Sequence, residues 1–302
     1  MSADSAAPPS RVLLIANPIS GGGRGAALAP ALAAALQSRG VAAEVFLTAG
    51  AGDAAARARE AGDEAWDGLV AIGGDGTVNE VLNGMPDPSR PLGVLPVGTA
   101  NVLALELSLP REVDAAADVI CAGALYPLAI GVAAGRRFLL FVGVGVDGAI
   151  VQRVSAVRTG TLGKHKWLGP LLHTVWRWPQ HRLRVTFEDG ASIDGASSVL
   201  VARVKQFGGV MTLPDADRDS GELHVLIFRM RSRVRWLYHG LRATLGMLRP
   251  GRHLTIRRAQ RLRIDGVAPL QIDGDHLGES PVEVHLLPRC ARVFAPASRR
   301  QR

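Results

Sequence analysis

The segment Gly73-Gly74-Asp75-Gly76-Thr77-Val78-Asn79-Glu80 constrains this chain more than any other. The apolar run from Gly68 to Ile72 leads into it and Val81-Leu82 follows with a helical pattern, so it reads as a tight turn between a buried strand and a helix. Three glycines within four residues let the backbone pass close to a ligand and permit positive φ values. A glycine-rich turn that opens a helix presents N–H groups lacking an intrahelical acceptor, a setting that suits phosphate. Asp75 is the one charged residue of the turn. Amide donors and a single acid fit a polyphosphate with its cation, or a hydroxyl awaiting phosphorylation.

Around this turn the chain alternates. Arg11 to Ala16 reads as a strand, Asn17 to Gly23 as a loop, and Ala26 to Arg39 as a helix ended by Gly40. Val41 to Leu47 is a second strand, Gly52 to Ala61 a helix and Gly68 to Ile72 a third strand. Asn79 to Asn83 continues as a helix, and Leu92 to Pro96 is a fourth strand before a short helix. Such alternation predicts a parallel sheet with covered faces, and loops 17–23, 73–79 and 98–101 all follow strand ends. Ligands bind at the carboxyl edge of such sheets, so these loops are expected to converge.

Beyond residue 125 the pattern becomes antiparallel β. Strands are predicted at 127–134, 137–146, 182–188, 191–204, 222–229, 253–257, 260–265, 268–273 and 282–287, with helices over 163–178 and 232–248. The division is therefore a tail over 1–10, an α/β domain over 11–125, a β-sandwich domain over 126–296 and a basic tail over 297–302. Charge follows the same split. Residues 1–130 hold 7 Lys/Arg and 14 Asp/Glu, and residues 131–302 hold 28 and 13, so the second body is expected to face something anionic. Cys121 and Cys290 sit in no metal or disulfide spacing, and no leader is readable before Arg11, which points to a cytoplasmic protein.

Further motifs recur in a fixed order: Asn17-Pro18 with Ser20-Gly21-Gly22, then Gly93 to Asn101, then Gly143-Val144-Gly145-Val146-Asp147. Gly208-Gly209 with Pro214-Asp215-Ala216 follows, and Asp273-Gly274-Asp275 with Pro281 and Pro288 comes last. Taken together they resemble the diacylglycerol kinase catalytic-domain superfamily, which includes soluble bacterial lipid kinases and the sphingosine and ceramide kinases. The glycine turn alone also fits NAD kinases and phosphofructokinases.

The resemblance, running over roughly 11 to 296, implies an α/β three-layer nucleotide domain of NAD-kinase/diacylglycerol-kinase type. An antiparallel β-sandwich domain follows it. The implied activity is ATP- and Mg²⁺-dependent phosphorylation of a lipid hydroxyl, on a diacylglycerol- or sphingoid-type substrate. It assigns the nucleotide phosphates to Gly73, Gly74, Asp75, Gly76, Thr77, Val78 and Asn79, with Thr48, Gly98 and Thr99 as further contacts. Asn17 would brace the first loop. Asp75 would hold Mg²⁺ or orient the hydroxyl, and Asp275 falls where the family has its general base. Asp217 and Asp219 stand where bacterial members hold a structural Mg²⁺.

Three departures accompany the match. Asp275 replaces the usual Glu, Val102 stands where many members have Asp, and Ser220 replaces an Asp of the structural metal turn. They leave a nucleotide-binding regulator on the same fold as an alternative, beside a NAD or sugar-phosphate kinase.

Plainer readings stand beside these. Asp273-Gly274 also fits a hairpin turn, and Asn17 also fits a loop cap. Gly143 to Gly148 resembles a dinucleotide fingerprint but reads as lacking the following helix. The histidines show no ligand spacing. Between Arg229 and Arg252, seven arginines interleave with two stripes at helical spacing, Trp236/His239/Gly240/Ala243/Met247 and Leu237/Leu241/Leu245/Leu248. This fits either a helix packed on its own domain or peripheral contact with an anionic membrane at the inner face, as does the Trp-rich 164–178 region. No recognition helix or stacking module is readable, so nucleic acid is not an expected partner. The lipid's identity, the nucleotide and any oligomer stay open.

Overall fold

The computed structural model of the protein describes residues 7–156, 169, 181–207, 211–214 and 220–296. The helix expected over 163–178, the turn at Gly208-Gly209 and Asp215-Ala216, the metal-site acids Asp217 and Asp219, and the basic tail lie outside the described residues. Two compact units are present. One comprises residues up to Leu128 together with those from Arg289 onward, and the other spans Ala129–Pro288.

In the first unit the strands β1 (Arg11–Ala16), β2 (Ala42–Leu47), β3 (Gly68–Gly73) and β4 (Pro91–Pro96) alternate with helices α1 (Ser20–Gln37), α2 (Asp53–Glu60) and α3 (Asp75–Gly84). All the strand pairs are parallel, in the order β2-β1-β3-β4, with register Ala16↔Leu47, Ala16↔Ile72 and Gly73↔Pro96. Burial explains why. β3 is buried at every position and β1 at all but the first, as expected of strands covered on both faces. Val12, Leu14 and Ala16 face Ala29, Leu32 and Leu36 of α1 and Ala116, Ala117 and Ile120 of α5 (Val113–Cys121). α2 and α3 pack on each other and on the sheet, so closely that a Cβ at Gly84 would lie 2.2 Å from the Ala55 carbonyl oxygen. The result is the three-layer domain expected, although sequence reading did not find α5. At the amino end Ser10 N and Oγ both donate to Asp67 Oδ2 at 2.6 Å, so the tail is tied down at its last residue.

After α4 (Val102–Leu107) and α5, the chain enters the second unit through β5 (Leu125–Ala133), β6 (Arg136–Phe138), β7 (Phe141–Gly145) and α6 (Val146–Ala156). It continues through β8 (Leu183–Phe187), β9 (Ser192–Ala196), β10 (Ser198–Ala202), the short pair β11 (Gln206–Phe207) and β12 (Met211–Thr212), and β13 (Leu223–Phe228). α7 (Arg233–Thr244) and β14 (Leu254–Ala259) to β18 complete it: β15 (Arg261–Asp265), β16 (Pro269–Ile272), β17 (Asp275–Glu279) and β18 (Val282–Phe294). One antiparallel sheet runs β14-β13-β10-β7-β16-β17, and β8, β9, β15 and the first part of β18 form another. Val142, Val144, Val199, Val201, Val225 and Ile227 of the former share one core with Val185, Phe187, Leu262, Ile264 and Val284 of the latter, which makes the unit a β-sandwich.

Two findings differ from the sequence reading. Residues 291–294 do not stay with the sandwich, because Arg292 and Val293 pair in parallel with Pro91 and Leu92 of the first unit. A helix does follow Gly143–Gly145, since α6 begins at Val146. The dinucleotide fingerprint still fails, for another reason. β7 lies in an antiparallel sheet, and the Asp147 carboxylate fills the helix start, with Oδ2 only 1.8 Å from where a Gly143 Cβ would sit.

Candidate active site

Parallel strands bring their carboxyl ends to one rim, so in the first unit the loops after β1, β2, β3 and β4 are neighbours by register. The loop after β1 starts at Asn17, whose N–H donates to Ile72 O at 2.9 Å and whose Oδ1 accepts from Ile19 N at 3.1 Å. Gly21, Gly22 and Gly23 follow with φ of 63°, 74° and 95°, three consecutive left-handed residues that only glycine adopts without strain. The regular part of α1 starts after them. A Cβ on Gly21 would meet the Val97 carbonyl oxygen at 2.4 Å, so the first loop touches the loop after β4. Arg24 spans the same contact, donating to Gly21 O at 3.2 Å and Val97 O at 3.5 Å.

The glycines of the central turn serve a different purpose from the one expected. Gly74 has φ −93°, and Gly73, Gly74 and Gly76 are absent from the positive-φ residues. They permit crowding. A Cβ on Gly98 would lie 2.5 Å from Gly74 Cα, and one on Gly73 would lie 2.4 Å from Thr77 Oγ1. Val97 N and Gly98 N both donate to Gly73 O, at 2.8 and 3.3 Å, which locks the second and third loops together. The turn is also shorter than its sequence suggests, because α3 already begins at Asp75. Val78 is therefore a core side chain, and the Asn79 Oδ1 accepts from Asn83 within the helix. What this segment offers a ligand is its first-turn amides, where Gly76 is exposed with open space above it.

Asp75 is half-buried and engaged. Its Oδ2 accepts from Val102 N at 3.1 Å and its Oδ1 from Leu103 N at 3.2 Å, so it caps α4. Burial pushes its carboxyl up from the ordinary value, and these amide bonds oppose that shift. Asn101, held at φ 49°, donates from Nδ2 to Gly98 O at 2.7 Å, while its buried Oδ1 has no protein partner. Gly73, Gly74, Asp75, Asn101 and Leu103 line one small depression. Thr48 is buried at the end of β2, its N–H donating to Ala16 O at 2.9 Å, and Thr99 is exposed.

In the second unit, Asp273 and Gly274 form a two-residue turn with φ of 48° and 89° between β16 and β17. Asp273 is not a solvated turn residue. Its Oδ2 accepts from Leu139 N at 2.8 Å and its Oδ1 from Leu140 N and Phe141 N at 3.0 and 2.9 Å. Asp275 pairs with Arg136, Nη2 to Oδ2 at 2.6 Å, with its side chain 38% exposed. Behind the turn, Gly274 N donates to Gln271 Oε1 at 2.9 Å and Gln271 Nε2 donates to Asp147 Oδ2 at 2.6 Å. Burial pushes the Asp147 carboxyl up to about 6. Arg136 and Gln271 escaped the sequence reading. Gln271 left a signal, a lone polar residue inside an apolar strand, and Arg136 left none. Ser220 bonds within its own turn, accepting from Glu222 N at 3.3 Å.

The comparisons with known proteins agree with this architecture. Residues 11–133 match the family model described as the diacylglycerol kinase catalytic domain. Residues 141–295 match the YegS C-terminal NAD kinase beta sandwich-like domain. Diacylglycerol kinase of Bacillus subtilis (strain 168) is 32% identical over 255 residues, covering 82% of this chain and 83% of the relative. Diacylglycerol kinase of Staphylococcus aureus (strain bovine RF122 / ET3-1) is 30% identical over 299 residues, covering 95% and 92%. A solved putative diacylglycerol kinase of Bacillus anthracis str. Sterne superposes with a TM-score of 0.78 at 22% identity, covering 97% of this chain and 99% of that one. Among the described residues no helix is long and apolar enough to cross a membrane. The chain belongs to the diacylglycerol kinase family and is a lipid kinase.

Proposed function

We propose that this chain transfers the γ-phosphoryl group of ATP to a hydroxyl of a diacylglycerol- or sphingoid-type lipid, working at the inner face of an anionic membrane. The observation that carries this reading is the meeting of three glycine-bearing loops at one strand rim, packed too tightly for a Cβ at Gly21 or Gly98. Backbone that close to its neighbours presents amide donors and no side chains, which is what a polyphosphate requires. The left-handed run Gly21–Gly23 and the first turn of α3 supply those donors, with Arg24 beside them.

The donor set also fits Mg²⁺. The Asp75 carboxylate and the unpartnered Oδ1 of Asn101 are hard oxygens of the kind Mg²⁺ takes beside phosphate oxygens and water. When bound, Mg²⁺ neutralises charge on the transferring phosphoryl group. A structural Mg²⁺ at Asp217 and Asp219 rests on the family resemblance alone. In the transfer the lipid oxygen bonds to the γ-phosphorus, the bond to the bridging oxygen breaks and ADP leaves. The hydroxyl proton passes to Asp275. Arg136 fixes Asp275 Oδ2 and with it the direction of the other oxygen. Asp273 and Gln271 hold the turn that carries Asp275.

Incubation with labelled ATP, Mg²⁺ and a panel of diacylglycerol, sphingosine, ceramide, NAD and soluble sugars tests the reading. Label is expected in an organic-phase product. Label only in NAD or sugar refutes the lipid substrate. No label, with ATP still raising the thermal midpoint, favours a nucleotide-binding regulator.

A further inference from the structure

We infer that the outward face of α7 is a docking surface for an anionic lipid bilayer, an inference that takes its motive from the lipid-kinase reading and its evidence from α7 itself. A helix on a globular domain normally hides its apolar stripe and shows water a polar one. α7 carries two apolar stripes and hides one. Trp236 packs with Phe228 on the cluster Val146, Ile150, Val154 and Met230, and Ala243 is buried on the same side. The opposite side carries Val234, Leu237, Tyr238 and Leu241, at the i, i+3, i+4, i+7 spacing of a single face, and Leu245 and Met247 extend it. These six side chains are 48–69% exposed. They make up most of the large apolar side chains that the described residues leave exposed, so the patch is not scattered surface.

The charge around the stripe is of one sign. From residue 229 to residue 252 the chain holds seven arginines and no Asp or Glu. Arg231, Arg233 and Arg235 lie at the amino end of the helix, and Arg242, Arg249 and Arg252 at or beyond its carboxyl end. Arg242 also fixes the far end of the stripe, donating to Met247 O from Nε at 2.9 Å and Nη2 at 2.7 Å and to Tyr238 Oη at 2.9 Å. Apolar side chains in the middle and cations at both ends match a bilayer, which offers acyl chains beneath a plane of phosphates. A nucleic acid would use the arginines and leave the leucines wet.

Vesicle flotation of the full chain tests this. Wild type is expected to float with phosphatidylglycerol/phosphatidylcholine vesicles, to release at high salt, and to bind pure phosphatidylcholine weakly. Leu237→Glu/Leu241→Glu is expected to lower partitioning by roughly tenfold or more at an unchanged thermal midpoint, because both positions are solvent-facing. Arg233→Gln/Arg235→Gln is expected to lower binding to the charged vesicles only. Wild-type partitioning by the leucine double variant overturns the proposal. So does a concentration-dependent dimer that this variant abolishes, which would make a second copy the occupant, or preference for a duplex oligonucleotide over vesicles. The two readings fail separately: flotation without lipid phosphorylation sinks the kinase assignment alone, and phosphorylation without flotation sinks the docking face alone.

Discussion

The loop rim of the first unit and the Asp273–Asp275 turn of the second achieve order by opposite means. At the rim the contacts are backbone against backbone: Gly21 on Val97, Gly74 on Gly98, and Val97 N on Gly73 O. Around the turn they are side chain against backbone or side chain, with Asp273 on three amides, Gln271 bridging Gly274 and Asp147, and Arg136 on Asp275. A rim of main-chain donors suits a ligand recognised by charge and shape. A turn held by side chains suits one carboxylate that has to be aimed. The contrast predicts that substitutions in the two regions fail in different ways.

The largest effect is expected from Asp275→Asn. The amide keeps the shape and cannot take a proton, so turnover should fall by about 10²- to 10⁴-fold. The rim is untouched, so ATP should still raise the thermal midpoint. Loss of both together would put Asp275 in nucleotide binding and erase the distinction.

Glycine substitutions probe the other region. Gly98→Ala pushes a methyl group toward Gly74 Cα, which is backbone and cannot rotate away. A cost of roughly 3 kcal/mol is expected in denaturant unfolding, with ATP protection lost. Gly76→Ala is the matched control, since its site is exposed and open. Stability should stay within about 0.5 kcal/mol. Weakened ATP protection in Gly76→Ala alone would place the phosphates over the first turn of α3. Equal effects from the two alanines would show that crowding is not what the rim depends on.

The same contrast explains what was legible in the sequence. The rim could be read because glycine marks backbone that must come close, and strand ends can be counted along the chain. Only the reason was misplaced: left-handed backbone belongs to Gly21–Gly23, and the central glycines serve close packing. The turn could be located from Asp273-Gly274, but what holds it could not. Asp147 and Gln271 are 124 residues apart, Leu139 and Asp273 are 134 apart, and Arg136 and Asp275 are 139 apart. No local pattern announces pairs at that distance. α6 was missed because Gly145 at φ 98° makes an abrupt junction from strand to helix, which reads as more strand. The apolar stripes of α7 were legible only to the helix end. The helix stops at Thr244 and Gly246 turns the chain at φ 66°, so Met247 of the Trp236 stripe is exposed and Leu248 of the Leu237 stripe is buried. Which stripe meets the core depends on Val146, Ile150 and Val154, far away in sequence.

The prediction that most sharpens the picture of the turn concerns Asp147. Its folded carboxyl titrates near 6 against an ordinary value of 3.8 because it is buried, with Gln271 Nε2 as its hydrogen-bond donor. Between those two values the folded state holds a proton that the unfolded chain has released. Stability should therefore fall as pH rises from about 4 to about 6, then level off with the charged carboxylate held at a cost. At about 1.4 kcal/mol per unit, the loss is on the order of 3 kcal/mol. Asp147→Asn keeps an oxygen for Gln271 and removes the charge, so it should flatten that slope and leave the protein more stable than wild type at pH 8. Every other group is common to the two proteins, so the difference between the two curves isolates Asp147. Superimposable curves would mean that the Asp147–Gln271 pair opens as the carboxyl ionises. The turn would then rest on Asp273 and on the Arg136–Asp275 pair.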